Sequence, residues 1–275
     1  MTTAKIIRSD QPDASGSTDT TADGRTARAR DVLISEWTKL RSVRSTYWAL
    51  IVAAVVSVAG STLAALTGGK AGPLPDPVAF SFIGWAEYPV LAVGILGVLT
   101  FTAECATGQI RTTFTAVPRR LAVLAAKTAV IAALALVFGE VLAVASFSLT
   151  QALLSRHGQG VAWSRPGVPG AVLAAGFVLV VVAVTGVGLG AAIRHTAGAI
   201  AVLPVVFYLP LTLLTLPAPW NHRIDRFTLP VAAYQVVALH PATNLLAPAL
   251  SMLVLIGWPA IILGIAAILI TRRPA

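Results

Sequence analysis

The sequence predicts an all-α integral membrane protein, because its composition and the arrangement of its apolar residues both exclude an ordinary soluble domain. Of its 275 residues, 56% are hydrophobic and only 11% are charged, against about 25% charged in soluble proteins. The apolar residues form unbroken blocks of about twenty, the length that a helix needs to cross a hydrocarbon core of about 30 Å. These blocks do not alternate polar and apolar residues, which excludes the strands of a transmembrane barrel.

Six apolar blocks predict six membrane-spanning helices, preceded by a tail at residues 1–29. The tail is rich in Ser, Thr, Asp and Gly and has almost no apolar cluster, so we expect it to be disordered. No apolar stretch follows Lys5 and Arg8 before residue 47, so the tail is not expected to be a signal peptide. The transmembrane domain then covers residues 30–275. Its predicted spans are at about 47–67, 80–102, 124–149, 171–193, 197–216 and 245–270.

The positions of the basic residues predict that both termini are cytoplasmic in a multi-pass protein of the cell membrane. Six spans put the termini on one side, and fifteen of the twenty Lys and Arg fall on that side. Cytoplasmic connections are the ones that carry such an excess. The same asymmetry accounts for the formal net charge of +9 without a nucleic-acid partner. The five basic residues on the other side are Lys70, Arg156, Arg165, Arg223 and Arg226.

Residues 30–45 predict an amphipathic helix that lies in the cytoplasmic membrane interface just before the first span. Its apolar residues recur at steps of four and three, so they share one helical face. Basic side chains on such a helix extend to the lipid headgroups. A simple membrane anchor and a helix that contacts a partner protein both fit this pattern. The residues assigned to the interface helix are Leu33, Trp37, Leu40, Arg41 and Arg44.

The connection at 103–127 is longer and more polar than a link between two spans requires, and Gly108 and Pro118 interrupt it. Between these two residues, Ile110 and Phe114 stand four positions apart on one face of a predicted short helix. One interpretation is an amphipathic loop that lies on lipid. The other is a docking helix for a cytoplasmic partner.

Four blocks of sequence, at 36–45, 103–127, 151–155 and 194–200, carry a family resemblance. In their order and approximate spacing they resemble the permease subunits of type-two bacterial ATP-binding-cassette exporters, and the resemblance runs from about residue 30 to the end of the chain. Within the longest block the matching residues are Glu104, Gly108, Ile110, Arg111, Pro118, Arg119, Arg120 and Lys127.

This resemblance implies that the 103–127 connection is a coupling helix that sits in a groove of a separate cytoplasmic ATPase. It also implies that two permease copies, identical or different, enclose the path of an unidentified substrate such as an amphiphile. The chain itself would then be no enzyme and would hold no cofactor, since ATP and Mg would bind to the ATPase. The residues expected to carry the coupling are Glu104, Gly108, Ile110, Arg111, Phe114, Pro118 and Arg119.

Three residues inside the predicted spans stand out. Glu140 lies deep in the third span, where an ionised carboxylate costs on the order of 3 kcal/mol. It either contacts the transport path or is satisfied by Ser146, Ser148 or a neighbouring helix, and the sequence favours neither. Gly186 and Gly190 are small residues four positions apart, a pattern that predicts close helix packing.

Other functional classes have weaker support in the sequence. Residues 67–70 superficially resemble a phosphate loop, but Ala64 replaces the required glycine and a span precedes the segment instead of a strand. A secondary transporter would normally show internal repeats and several midplane ionisable residues. A membrane sensor or assembly partner that transports nothing stays open. No metal site is expected from the scattered histidines, which are His157, His195, His222 and His240.

Overall fold

The computed structural model describes residues 30, 31, 33–39, 44–85, 88–110, 120–212 and 224–272. Every regular element within these ranges is helical, so the predicted all-α class is confirmed. The helices are α1 (33–39), α2 (Arg44–Ala71), α3 (Pro77–Phe80), α4 (Tyr88–Ala106), α5 (Arg120–Leu154), α6 (Val168–Ile193), α7 (Thr196–Thr212), α8 (Leu229–Val237) and α9 (Pro248–Arg272).

Five stretches are long and apolar enough to cross a membrane, and each overlaps a predicted span. They are Thr46–Gly68, Ile83–Ala106, Arg120–His157, Val168–Ile193 and Pro248–Arg272. The fifth predicted span corresponds to α7, which has 17 described residues. At 1.5 Å per residue these described residues extend about 25 Å, against a hydrocarbon core of about 30 Å. Residues 213–216 of the predicted span lie outside the described part of the chain.

Two helix ends that lie at the same end of the bundle differ from the predicted span ends. The Ile83–Ala106 stretch ends four residues later than the predicted second span and so includes Glu104. Helix α5 begins at Arg120, before the start of the predicted third span at residue 124, and Lys127 already lay inside that predicted span. The connection between the two helices is therefore shorter than the sequence predicts. Glu87, which interrupts the predicted second span, lies outside the described residues.

Helix α6 lies at the centre of the bundle. In its most apolar stretch 78% of the residues are buried, against 22% in α2 and in α9. Glycines allow its neighbours to approach this closely. A Cβ atom added to Gly186 would collide with the Gly94 carbonyl oxygen of α4, and one added to Gly190 would lie 2.7 Å from the Val98 oxygen. Close helix packing at Gly186 and Gly190 is the arrangement that the small-residue spacing predicts.

The bundle has two ends that differ in chemistry. The proximal end is defined here as the one where α1 lies, α4 ends, α5 begins and α9 ends. There the Arg120 guanidinium donates a 3.1 Å hydrogen bond to the Ile270 carbonyl oxygen in the last turn of α9, where a cation is favourable. The distal end is the opposite one, and at it the chain turns through the segments 72–85 and 155–167.

Amide side chains hold the distal end together by bonding to the backbone. The amide of Gln151 in α5 donates to the Pro77 carbonyl oxygen at 2.7 Å, and its own oxygen accepts the Val161 N–H at 2.8 Å. Gln235 of α8 donates in the same way to the Ala242 and Leu246 carbonyl oxygens. These four backbone groups at the distal end therefore have hydrogen-bond partners, as buried groups in an irregular segment require.

Candidate functional site at the proximal end

Four charged side chains from three helices form one cluster at the proximal end. Glu36 and Lys39 come from α1, Glu104 from the last turn of α4, and Lys127 from a position two turns into α5. The Lys127 Nζ lies 2.6 Å from the Glu36 Oε2 and 2.7 Å from the Glu104 Oε1. The Lys39 Nζ lies 3.0 Å from the Glu36 Oε1 and 2.8 Å from the Glu104 Oε1. We call these four residues the charged cluster.

Three of the four side chains in the charged cluster are buried, which makes their pairing important for stability. The exposed fractions of Glu36, Glu104 and Lys127 are only 4%, 5% and 1%. Moving isolated charges of this kind out of water costs several kcal/mol each. That cost is offset because the two ammonium groups balance the two carboxylates and each ammonium contacts both acids. The Glu104 Oε2 atom is also buried, and no donor among the described residues reaches it.

Lys39 is the member of the charged cluster that reaches water. Its side chain is 46% exposed. Partial burial acts to lower the pKa of Lys39, but the hydrogen bonds and negative charges of Glu104 and Glu36 together outweigh burial and raise the pKa above its ordinary value. Lys39 therefore stays charged over the physiological pH range and closes the cluster on its solvent side.

Two residues of the charged cluster flank the segment that the sequence predicts as the coupling helix. Glu104 lies before the segment in α4, and Lys127 lies after it in α5. Gly108 bends the chain between them in the left-handed region, at φ 72°, where glycine costs least. Ile110 follows as a half-buried residue that packs against the core of the bundle. The described residues thus fix both ends of this segment.

Several predicted site residues fall on parts of the chain that the structure does not describe. Of the predicted coupling residues these are Arg111, Phe114, Pro118 and Arg119. Of the predicted interface helix these are Leu40 and Arg41, together with the side chain of Arg44. Their assigned roles stay predictions.

The described part of the predicted interface helix has two distinct faces. Leu33 and Trp37 are exposed, with 39% and 48% of their surface accessible. Glu36, on a neighbouring side of α1, is buried and belongs to the charged cluster. Helix α1 is therefore fixed to the bundle by charge, and its exposed apolar face remains available to a membrane surface or to a partner protein.

Glu140, the predicted pathway residue, lies where α5 crosses α6. A Cβ atom added to Gly139 would come within 2.6 Å of the Gly176 carbonyl oxygen, so the two backbones are in contact there. The Glu140 carboxyl packs directly on Gly176 and is partly exposed on the side of the bundle. Ser146 is bonded elsewhere, since its Oγ accepts the Trp85 indole N–H at 3.1 Å. The bundle thus leaves part of the Glu140 surface uncovered.

Sequence reasoning did not anticipate that Glu36 and Lys127 pair with each other. Both residues belong to blocks that carry the family resemblance, but the two residues are 91 positions apart in the chain. One signal was present. Glu104 closely follows the predicted second span and Lys127 lies within the predicted third span, and a charged side chain in either place requires a counter-charge. That requirement predicts a partner for each residue without identifying it.

In comparisons with known proteins, the sequence matches no family model and no curated protein. Within the described residues no group of three or more His, Cys, Asp or Glu side chains is arranged to hold a metal ion. The charged cluster is therefore interpreted from its own geometry. It ties α1 to the two long apolar helices α4 and α5, which lie on either side of the connection between Ala106 and Arg120.

Proposed function

We propose that the chain is the membrane-spanning permease subunit of an ATP-driven exporter of the ATP-binding-cassette class, coupled to a separate cytoplasmic ATPase. The observation that carries this proposal is the charged cluster. It joins residues from two of the blocks that resemble this family, the one at 36–45 and the one at 103–127. In the proposal α7 is the fifth of six spans, and a second permease copy completes the path for an amphiphilic substrate.

In the proposed mechanism the charged cluster makes α1, α4 and α5 move as one body. ATP closes the ATPase dimer, which displaces the connection between Ala106 and Arg120. Because Glu104 and Lys127 flank this connection and bind to each other and to α1, a displacement there is passed to both long helices at once. Rigid helices then carry the motion toward the distal end, as in other hinge and shear transitions.

The first test targets the coupling segment. Arg111→Glu and Gly108→Trp should each reduce ATP-dependent efflux of fluorescent amphiphiles by about tenfold or more. The first variant reverses a charge expected to face the ATPase. The second forces a bulky side chain into a left-handed backbone conformation that only glycine adopts easily. Membrane insertion should be unchanged, because both positions lie outside the apolar stretches.

The matched control is Arg165→Glu, a charge reversal at the distal end. The measurements are co-purification of the ATPase with the full-length chain and efflux from cells that express both proteins. If the Arg111 and Gly108 variants bind the ATPase and export like the unmodified protein, the segment is only a connector. Failure of the unmodified chain to recover any ATPase would instead favour a membrane sensor, an assembly partner or a secondary transporter.

A second test concerns orientation in the membrane. The excess of basic residues on one side predicts that reporters at Lys70, Arg165 and Arg226 are external and that reporters at Arg119 and Arg194 are internal. Cysteine labelling with a membrane-impermeant maleimide measures this directly. The natural Cys105 is first replaced by serine. Labelling of position 119 from outside intact cells would invert the proposed topology.

A further inference from the structure

A cavity of about 470 Å³ lies at the distal end of the bundle, where α3, α4, α6, α7, α8 and α9 meet. Its volume falls in the range of about 300–1,000 Å³ that is typical of small-ligand sites. Aliphatic and aromatic side chains form most of its wall, among them Val178 and Val182 of α6, Phe207 of α7 and Leu255 of α9. The cavity therefore fits an apolar ligand.

Two polar groups on the cavity wall are already engaged with the protein. The Asp76 Oδ1 atom accepts the N–H groups of Val78 and Ala79 at 3.0 and 2.9 Å. Its Oδ2 atom accepts the His240 N–H at 2.8 Å. The Trp85 indole N–H donates to the Ser146 hydroxyl. Neither Asp76 nor Trp85 thus presents an open charge or donor that would select a polar ligand.

One side of the cavity reaches the protein surface. Ile83 and Tyr234 both line the cavity, and 52% and 46% of their surface is exposed. Both residues lie at the distal end, beside helices that are apolar enough to cross a membrane. In a bilayer this opening faces the leaflet at that end, so hydrocarbon chains are the nearest molecules that can enter it.

Physical chemistry favours hydrocarbon over water in such a space. Water needs two to four polar partners to occupy a cavity, and apolar cavities stay dry. An empty cavity forfeits the dispersion contacts of the atoms that line it. A flexible chain from the adjacent leaflet restores those contacts, and it leaves its polar headgroup at the membrane surface.

We propose that this cavity binds one acyl chain of a membrane phospholipid from the leaflet at the distal end. The chain enters beside Ile83, and the headgroup lies near Tyr234 and the exposed imidazole of His240, which stands 3.7 Å from Asp76. The bound chain fills the space under α8 and joins this short helix to α6 and α9. This site does not depend on the chain being an exporter subunit.

The test is photolabelling of the purified full-length protein in vesicles of phosphatidylethanolamine and phosphatidylglycerol. The probe is phosphatidylglycerol with a diazirine at the end of one acyl chain, and no ATP or ATPase is added. Adducts are expected in peptides 75–91 and 229–237. Filling the cavity with Ala233→Phe or Val178→Phe should lower their yield by about tenfold. Ala249→Phe, at an exposed position of α9 at the same end, should leave the yield unchanged.

A second measurement on the unmodified protein covers the case in which a filled variant does not fold. Excess unlabelled phosphatidylglycerol should compete with the adducts in the cavity peptides, and it should not reduce diffuse labelling along α2 in proportion. Labelling that is neither saturable nor sensitive to the two Phe variants would overturn the proposal. Cavity peptides that become labelled only after excess detergent separates associated copies would also overturn it, because a second copy would then cover the site.

Discussion

Replacing Lys127 with methionine should lower the free energy of unfolding by about 3–5 kcal/mol, the usual cost of removing one partner from a buried ion pair. Lys127 is 1% exposed and contacts the carboxylates of Glu36 and Glu104 at 2.6 and 2.7 Å. Without the Lys127 ammonium, Lys39 is the one cation among the described residues that still pairs with the two buried carboxylates. The change is measured by reversible unfolding of the purified protein in mixed micelles, followed by circular dichroism.

The matched control is Lys39→Met, which contacts the same two acids from a side chain that is 46% exposed. Water can solvate the two carboxylates in place of the exposed Lys39 ammonium. The loss of unfolding free energy in Lys39→Met should therefore be clearly smaller than the loss in Lys127→Met. The double variant Lys127→Met with Glu104→Gln removes one charge of each sign and should recover part of the loss. Their coupling free energy follows from the double-mutant cycle. Equal losses for Lys127→Met and Lys39→Met would mean that burial does not strengthen the charged cluster.

The long helices could be predicted from sequence because a bilayer leaves few alternatives. A backbone in hydrocarbon has to satisfy its own hydrogen bonds, so an apolar block of sufficient length forms a helix. Hydropathy alone set the helix ends less well. The predicted second span ended at residue 102, whereas α4 continues to Ala106, and the predicted third span began at residue 124, whereas α5 begins at Arg120. The pairing of Glu104 with Lys127 compensates the charge of Glu104, so α4 can continue past this residue to Ala106.

The charged cluster and the cavity depend on tertiary contacts that a single sequence does not encode locally. Glu36 had several possible basic partners, and only the packing of α1 against α5 selects Lys127. The cavity requires α8 to rest on α6 and α9 without filling the space between them. The segment 231–239 is by its sequence a mostly apolar stretch that is too short to cross a membrane. No periodicity in that segment reveals the space beneath it.

Gly186→Leu should destabilise the protein by about 3 kcal/mol or more, since overpacking at a tight helix contact displaces backbone and side chains. Even the first atom of the new side chain would collide with the Gly94 carbonyl oxygen of α4 and would lie 3.1 Å from the Val98 nitrogen. Neither neighbour is the end of a flexible side chain, so α4 and α6 would have to separate. The same unfolding assay in mixed micelles measures the loss.

Gly264→Leu in the middle of α9 is the matched control for this effect. A Cβ atom at Gly264 meets nothing within 4 Å, so the substitution gains helix propensity without a collision. It should leave stability unchanged or slightly higher. Gly186→Ala should give an intermediate loss, because its single methyl group already requires α4 to shift. Equal stability of Gly186→Leu and Gly264→Leu would contradict the backbone contact between α4 and α6. It would also contradict the central position of α6 in the bundle.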